Sequence, residues 1–465
     1  MMFQYLRREK GFYRGLVTLA LPMMLQNLIS SSLGMVDTVM VGTLGQNELA
    51  GLSLANTPFM VAMLFVFGLQ SGGAVLISQY WGKRDMKTIN RVMGLCWYFA
   101  VGISAVIATV IFCFPRMVMG LTTNNPELLE IAVRYGRLVA YSYVLNAFTG
   151  VYIGTLRACE QPKVGAWITS IGMISNVIFN YIFIFGKLGV PAMGVEGAAI
   201  GTLAARAVEL LCAVGHMAFF RKNRLVTLMP RYLLRPGTVL LGDFVRYAAP
   251  VMLNETLWSL GFSLYTVIYG HMAESADVVA AFSVSGNIER IISVATFALA
   301  NAAAVAVGKE IGSGASQEEA YDLGRVLVFL SCAVGFLSGV LMLLCLVAFI
   351  DPHVFNLFNL TAGAQRAARI MLIVMSCVLT LRSFNMTLVV GVLRGGGDVR
   401  FGLLIDVGVM YCVSVPLTAL VALVLKADIL WVYLTVVSEE IIKFIIGQFR
   451  FRSKKWIRNV TREIA

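Results

Sequence analysis

Twelve runs of apolar residues, separated by short polar connections, follow one another along the 465-residue chain. A bilayer core of about 30 Å is crossed by roughly 20 helical residues, and the runs are of that order of length. Because they are continuously apolar and do not alternate over about ten residues, they predict helices and not barrel strands. The predicted spans are 14–42, 50–79, 91–114, 129–156, 163–186, 195–220, 241–270, 278–309, 320–349, 365–393, 399–425 and 428–449. The pattern therefore predicts an all-α membrane protein with twelve transmembrane helices.

The composition supports this class. Only 13% of the residues are charged and 58% are hydrophobic, whereas soluble domains carry about 25% charged residues. The eight cysteines are scattered through apolar runs without C-x-x-C spacing, which predicts small core residues and neither disulfides nor a metal site. The first apolar run is longer than a signal-peptide core, so we expect it to be retained as the first transmembrane helix.

The net charge of +12 comes from basic residues that cluster in the connections on one side of the predicted membrane. With the N-terminus on that side, they include the segments 7–14, 83–91, 221–235 and 450–462, whereas the opposite connections are nearly free of Lys and Arg. This is the positive-inside pattern, and it predicts a multi-pass protein of the cytoplasmic (inner) membrane with both termini in the cytoplasm. The lipid bilayer, and not nucleic acid, is the expected partner of these charges.

The second half of the chain repeats the first. LALPMMLQNL at 19–28 corresponds to YAAPVMLNET at 247–256, and GTLRACEQPKVG at 154–165 corresponds to GVLRGGGDVRFG at 391–402. Because each half contains an even number of helices, the two halves share one orientation, as in transporters built from parallel repeats. The predicted domains are a six-helix bundle at 1–220, a cytoplasmic linker at 221–240, a second six-helix bundle at 241–449 and a basic cytoplasmic tail at 450–465.

Pro22 and Pro250 align in this repeat, near the starts of helices one and seven. A proline inside a helix removes a backbone hydrogen bond and permits a kink. Each is a candidate hinge, and the alternative is a helix bent only for packing.

Several segments resemble the multidrug and toxic compound extrusion (MATE) family. They are LGMVDTVMVGTLG, GAVLISQYWGKRD, LRACEQPK, NYIFIFGKLGVPAMGVEGAAIGT and GVLRGGGD, in family order along nearly the whole chain. The chain looks most like the bacterial, NorM-like branch that includes sodium-coupled drug exporters. The resemblance implies two six-helix bundles around a V-shaped cleft, and export of organic, often cationic and amphipathic, small molecules in exchange for Na+ or H+. It implies no cofactor beyond that coupling ion and no obligatory protein partner.

Asp37 is the one carboxylate in the apolar run of helix one. An acidic side chain at the centre of a membrane costs at least about 2.5 kcal/mol, so it is a functional candidate by default. It also matches the acidic residue of the family's N-terminal lobe, and the alternative is a role in helix packing alone. We expect Asp37 to bind and release the coupling cation.

Na+ needs several hard oxygen ligands, and the neighbouring helices supply them by analogy with other hard cations. Asn176 and Asn180 stand four residues apart on one face of helix five, and Asn56 in helix two and Thr202 in helix six are plausible additions. Each Asn alone is equally explained as an interhelical hydrogen-bonding residue.

The second half contains Glu255, Glu289 and Asp406 as candidates for a cation or substrate site. Glu255 resembles the glutamate of the sodium-coupled branch, but the aspartate that this branch carries in helix ten is Ser383 here. Glu289 and Asp406 either bind a cationic substrate or pair with a base such as Arg290 or Arg382.

Other charges in the apolar runs have structural explanations. Arg206 and Glu209 are spaced as an ion pair on helix six. Arg157 and Arg394 are expected to stabilise cytoplasmic turns. For Glu439, Glu440 and Lys443 in helix twelve we expect ion pairing, with snorkelling of the long side chains to the cytoplasmic interface.

Two other functions compete with drug export. A lipid-linked oligosaccharide flippase of the same fold would need basic residues lining the cleft, whereas most candidates here are acidic. An intramembrane enzyme is disfavoured because the three histidines show no metal spacing and no nucleophile motif is present.

Overall fold

A computed structural model describes residues 10–123, 125–219, 229–235, 237–355, 358 and 360–463. Within these ranges the side chains at 10, 32–35, 37, 38, 46, 219, 238 and 239 lie outside the description. The side chain of Asp37 therefore lies outside the described part of the chain, as do the basic residues of 221–228 in the predicted linker.

Twelve long helices account for the twelve apolar runs. They are α1 (Lys10–Gly42), α2 (Gln46–Gly82), α3 (Met86–Cys113), α4 (Pro126–Ala158), α5 (Pro162–Phe185), α6 (Gly194–Phe219), α7 (Thr238–Gly270), α8 (Ser275–Ile292 and Val294–Gly312), α9 (Gln317–Val354), α10 (Ala362–Leu393), α11 (Val399–Val424) and α12 (Ile429–Arg452). Short helices lie at Pro115–Gly120 and Pro230–Leu234. Among the described residues, eight of the long helices are apolar enough and long enough to cross a membrane, by length and composition. The all-α, twelve-helix architecture is thus confirmed.

Local sequence explains where several helices begin and end. The Asp85 side chain accepts a hydrogen bond from the Thr88 amide at 3.1 Å and starts α3. Ser316 and Glu319 form a reciprocal capping box at the start of α9. Gly186, with φ of +68°, ends α5 in the left-handed region that favours glycine.

The duplication is visible in the helix lengths. Both α1 and α7 contain 33 residues, and in each the thirteenth residue is a proline, Pro22 or Pro250. The other helices follow in the same order in both halves, with α8 interrupted at Ser293.

The chain forms two compact units whose boundaries differ from the predicted linker. One unit contains Leu25–Met252, and the other contains Leu253–Glu463 together with the chain up to Met24. Both boundaries lie inside a helix, α1 or α7, two residues after its proline. The first part of α1 therefore belongs to the unit that contains the second half of the chain. The first part of α7 belongs to the unit that contains the first half.

The unit containing Leu25–Met252 has a core to which each of α1 to α6 contributes, and in it Val41, Ala55 and Ala199 have no exposed surface. The start of α7 packs tightly here as well. A Cβ added to Gly68 of α2 would lie 2.7 Å from the Met252 Cα, so only glycine allows this approach.

The unit containing Leu253–Glu463 has two apolar clusters. Leu16 and Leu19 of α1 join one of them, packing with Leu299 of α8 and Leu327 of α9. Four π-helical stretches lie in this unit, within or at the ends of α9, α10 and α11: Leu346–Val354, Thr387–Leu393, Met410–Ser414 and Leu420–Val424.

The predicted basic tail packs against this unit. After α12, Trp456 is fully buried, and a Cβ added to Gly396 would lie 2.5 Å from its ring. Arg450 and Arg458 both bind the Asp398 carboxylate, at 2.7 and 3.0 Å. The glycine-rich turn at 395–397 thus makes room for the C-terminal segment.

Candidate functional site

Three of the predicted cation ligands meet between α5 and α6. The Asn176 amide donates to the Thr202 hydroxyl at 3.3 Å, and the Asn180 amide donates to Asn176 Oδ1 at 3.5 Å. Asn180 has no exposed surface. Gly201, next to Thr202, makes the approach possible because an added Cβ would collide with Asn180 Oδ1. Two amide oxygens and one hydroxyl therefore lie together, and these are the hard donors that a small cation accepts.

The remaining members of this predicted site are on α1 and α2. Asn56 is half-buried on α2. Asp37 lies in the helical part of α1, one turn before the fully buried Val41. Val41 belongs to the same apolar cluster as Ile184, one turn after Asn180, and Ala199, three residues before Thr202.

A buried ion pair lies further along α6. Arg206 Nη1 is 2.6 Å from Glu209 Oε2, as their spacing predicts, and Glu209 is 3% exposed. Gly172 of α5 leaves room for it, because an added Cβ would lie 3.1 Å from the Glu209 Cβ.

In the other unit, each predicted acidic residue has a basic partner. Arg394 Nη2 lies 2.6 Å from Glu255 Oε1, with both side chains largely buried. Arg394, which was expected to stabilise the turn after α10, is only 4% exposed and therefore also neutralises a buried carboxylate.

The partner of Asp406 is Lys443 of α12, and not Arg290 or Arg382. Lys443 Nζ is 2.8 Å from Asp406 Oδ1 and 3.2 Å from Glu439 Oε1. Asn254 donates to Asp406 Oδ2 at 3.1 Å. The predicted pairing within α12 is confirmed, but snorkelling was wrong, since Lys443 is 4% exposed and its chain points into the bundle.

Glu289 pairs with Arg382, at 2.7 Å, which was the structural alternative predicted for it. Glu440 lies 3.9 Å from the same guanidinium and accepts a hydrogen bond from Asn385 at 2.7 Å. Sequence reasoning missed the inward direction of Glu440.

Ser383 takes part in a buried group of hydroxyls. Its Oγ donates to the Ser331 carbonyl at 2.7 Å and lies 3.3 Å from Thr296 Oγ1, and Thr387 donates to Ser331 Oγ at 2.7 Å. These buried hydroxyl groups therefore serve as hydrogen-bond partners for one another. Within the described ranges, no group of three or more His, Cys, Asp or Glu side chains is placed to hold a metal ion.

Comparison with known proteins accounts for this architecture. The chain is 25% identical over 388 residues to the multidrug resistance protein MdtK of Yersinia enterocolitica, covering 83% of this chain and 82% of that protein. It superimposes on a multidrug resistance MATE family transporter solved in an outward-facing conformation, with a TM-score of 0.83, 21% identity, and coverage of 97% and 98% of the two chains. A transporter of the MOP superfamily from Pyrococcus furiosus, described as having a binding pocket of reversed polarity, gives a TM-score of 0.82 at 22% identity, with coverage of 97% and 98%.

The family model for MatE matches twice, over residues 22–182 and 250–420. The two matched regions begin at Pro22 and Pro250, so they follow the duplication of the helices. Together they cover more than half of the sequence. The chain therefore belongs to the MatE family, the multidrug and toxic compound extrusion family that its motifs resemble.

Proposed function

We propose that this protein exports organic, amphipathic and mainly cationic compounds across the cytoplasmic membrane, in exchange for Na+ or H+, by alternating access. Its membership of the MatE family and its similarity to a protein named for multidrug resistance support export of drugs. The observation that carries the coupling mechanism is the contact of Asn176, Asn180 and Thr202 in the unit that also contains Asp37.

In this proposal, Asp37 supplies the charge and the neutral oxygens of Asn56, Asn176, Asn180 and Thr202 complete the cation site. One carboxylate with several neutral oxygens suits a monovalent cation. If H+ is the coupling ion, Asp37 carries it and the amides orient the carboxyl group. A cation and a drug drive exchange only if they prefer different conformations, because a ligand shifts an equilibrium only by its difference in affinity.

Pro22 and Pro250 are the proposed hinges. Asp37 and Pro22 are about four turns apart on α1. Binding of the cation would neutralise Asp37 and bend α1 near Pro22, where the backbone lacks a hydrogen bond. The position of both prolines next to a boundary between compact units supports this role.

For Glu255, Glu289 and Asp406 we propose an electrostatic role towards the organic cation, and not ligation of Na+, since each already has a basic partner. In the linked ion pairs of α7, α8, α10, α11 and α12, five carboxylates face three bases, so carboxylates remain in excess even when one of them carries a proton. The carboxylates are Glu255, Glu289, Asp406, Glu439 and Glu440, and the bases are Arg382, Arg394 and Lys443. This excess favours cations over the pyrophosphate of a flippase substrate.

The test is efflux of a fluorescent organic cation from liposomes that contain the pure protein. An imposed Na+ gradient and an imposed pH gradient are applied separately. We expect efflux with one of them, and we expect Asp37→Asn to abolish it. Asp322→Asn is the matched control, because Asp322 makes only a 3.7 Å pair with Arg325 at the partly exposed start of α9.

The outcomes separate the hypotheses. A response to Na+ alone assigns the amide oxygens as ligands beside Asp37, and a response to pH alone assigns Asp37 as the proton carrier. No response to either gradient, with binding of a lipid-linked pyrophosphate sugar, would replace drug export by the flippase function. Unchanged efflux in Asp37→Asn would remove Asp37 from the mechanism.

A further inference from the structure

A buried cluster between α11 and α12 contains two carboxylates and one base. Lys443 lies between Asp406, at 2.8 Å, and Glu439, at 3.2 Å. Lys443 is 4% exposed and Glu439 is 8% exposed, so neither charge is solvated. A single lysine neutralises one carboxylate. We propose that Glu439 is a proton-binding site, which carries one exchangeable proton in this conformation.

The hydrogen bonds distinguish Glu439 from Asp406. Asp406 is bound at both oxygens, by Lys443 and by the Asn254 amide at 3.1 Å. Glu439 has the longer contact with Lys443, through Oε1 alone. Its Oε2 is buried and has no hydrogen-bond partner within 3.5 Å among the described residues, although the Tyr265 hydroxyl faces the carboxylate from α7. Protonation therefore stabilises Glu439 more than it stabilises Asp406.

The groups around Glu439 supply no second base that pairs with it, because Arg382 is bound to other carboxylates. Those that face it from α7, α10, α11 and α12 are Tyr265, Arg382, Asp406, Glu440 and Lys443. Arg382 lies 2.7 Å from Glu289, and the Tyr265 hydroxyl shares a 2.7 Å hydrogen bond with Ser414. Burying an ion with incomplete pairing is unfavourable, and a carboxylate in that position takes up a proton instead.

The geometry favours a proton over a larger cation. Oε2 of Glu439 is enclosed, and a metal ion or an organic ammonium group would need space and further ligands, whereas a proton adds no volume. The neighbouring backbone contains a π-helical stretch, Met410–Ser414, one turn after Asp406. Such stretches occur frequently at functional sites. A shift of α11 that moved Asp406 away from Lys443 would give the lysine to Glu439 and release the proton.

This inference is independent of the cation site at Asp37, which lies in the other unit. In this proposal the second half of the molecule has its own proton-binding carboxyl group, that of Glu439. The two sites can be tested separately, because removing Asp37 leaves every residue of the Glu439 cluster in place.

The experiment is infrared difference spectroscopy of the full-length protein in lipid nanodiscs, titrated with pH. Asp37→Asn is the background for all variants, so that Asp37 contributes no signal. We expect a carbonyl-stretch band from a protonated carboxylic acid, which shifts in heavy water and disappears at high pH. Glu439→Gln should abolish the band, whereas Glu440→Gln, which alters the adjacent carboxylate, should retain it.

A second variant tests the mechanism without touching Glu439. In Asp406→Asn the ammonium group of Lys443 pairs with Glu439 alone, so we expect the band to be lost at neutral pH. A band that survives in Asp406→Asn or in Glu439→Gln would overturn the proposal, as would its absence at every pH from the Asp37→Asn background. If Glu439→Gln does not fold, Asp406→Asn decides the question. Failure of drug efflux in liposomes would leave this band unaffected.

Discussion

Pro22 and Pro250 each occupy the thirteenth position of a 33-residue helix, and in both helices a boundary between compact units falls two residues later. The first part of α1 belongs to one unit and the remainder to the other, and α7 is divided in the same way. The weakened hydrogen bonding at a proline therefore coincides twice with the point where a helix changes packing partners.

Replacing Pro22 by Ala should slow transport more than it affects stability. Alanine restores the missing backbone hydrogen bond and makes bending of α1 less favourable. We expect the efflux rate to fall by at least about tenfold, which corresponds to about 1.4 kcal/mol in the barrier. The measurement is efflux from liposomes, with the thermal unfolding temperature determined in parallel.

Pro58 provides the control for the hinge, because it also lies inside a helix, α2, but not at a boundary between units. Pro58→Ala should leave the rate within about twofold. Equal losses in both variants would show that any restored hydrogen bond slows transport, and the hinge at Pro22 would have to be abandoned.

Asn180→Leu should weaken binding of the coupling cation if that ion is Na+. The substitution removes one oxygen of the cluster with Asn176 and Thr202. We expect a loss of affinity of at least about tenfold, in the range seen when the surroundings of a metal site are altered. Because a ligand that binds the folded state raises Tm, the measurement is the shift of Tm with Na+ concentration.

Asn301→Leu is the matched control for Asn180. Asn301 lies in α8 of the other unit and donates to the Phe297 carbonyl of its own helix at 2.8 Å. Its Na+ response should equal that of the native protein. A normal response in Asn180→Leu would exclude this amide from the cation site.

Breaking the Glu255–Arg394 pair from one side should destabilise the protein strongly. Arg394→Met leaves the Glu255 carboxylate without its 2.6 Å partner in a largely buried position. Removing one member of such a pair costs about 3–5 kcal/mol. We expect a markedly lower Tm, partly recovered in the double variant Glu255→Gln, Arg394→Met, in which no charge remains.

The exposed pair of Arg116 and Glu130, at 3.2 Å, is the comparison for this effect. Arg116→Ala should change stability by less than about 1 kcal/mol. Similar effects at the buried and the exposed pair would mean that Glu255 is solvated or paired elsewhere.

Trp456→Ala should destabilise the unit that contains the C-terminal segment. Trp456 is fully buried against Gly396 and stacks on Phe451 at 5.7 Å between ring centroids. Removing a buried tryptophan costs about 3–5 kcal/mol. Trp431→Ala, on α12, is the control, because Trp431 is 61% exposed and its loss should matter little. Equal Tm values for Trp456→Ala and the native protein would show that the segment does not dock.

The grouping of Asn176, Asn180 and Thr202 was predictable from local sequence. The two Asn residues are one turn apart on α5, and Thr202 lies on α6, which follows α5 after a short loop. The partners of the acidic residues in the second half were not. Lys443 and Asp406 are 37 residues apart, and no local spacing selects one buried base over another.

The sequence by itself determined the twelve helices, their bounds to within a few residues, the duplication and the family. These features follow from hydrophobicity, helix caps and repeated motifs, all of which are local properties of the chain. Only the tertiary structure decided that the compact units divide within α1 and α7, that Lys443 and Arg394 are buried, and that the basic tail packs on Asp398. The physical reason is that a charge in an apolar bundle must find a partner, and which partner it finds depends on how distant helices pack.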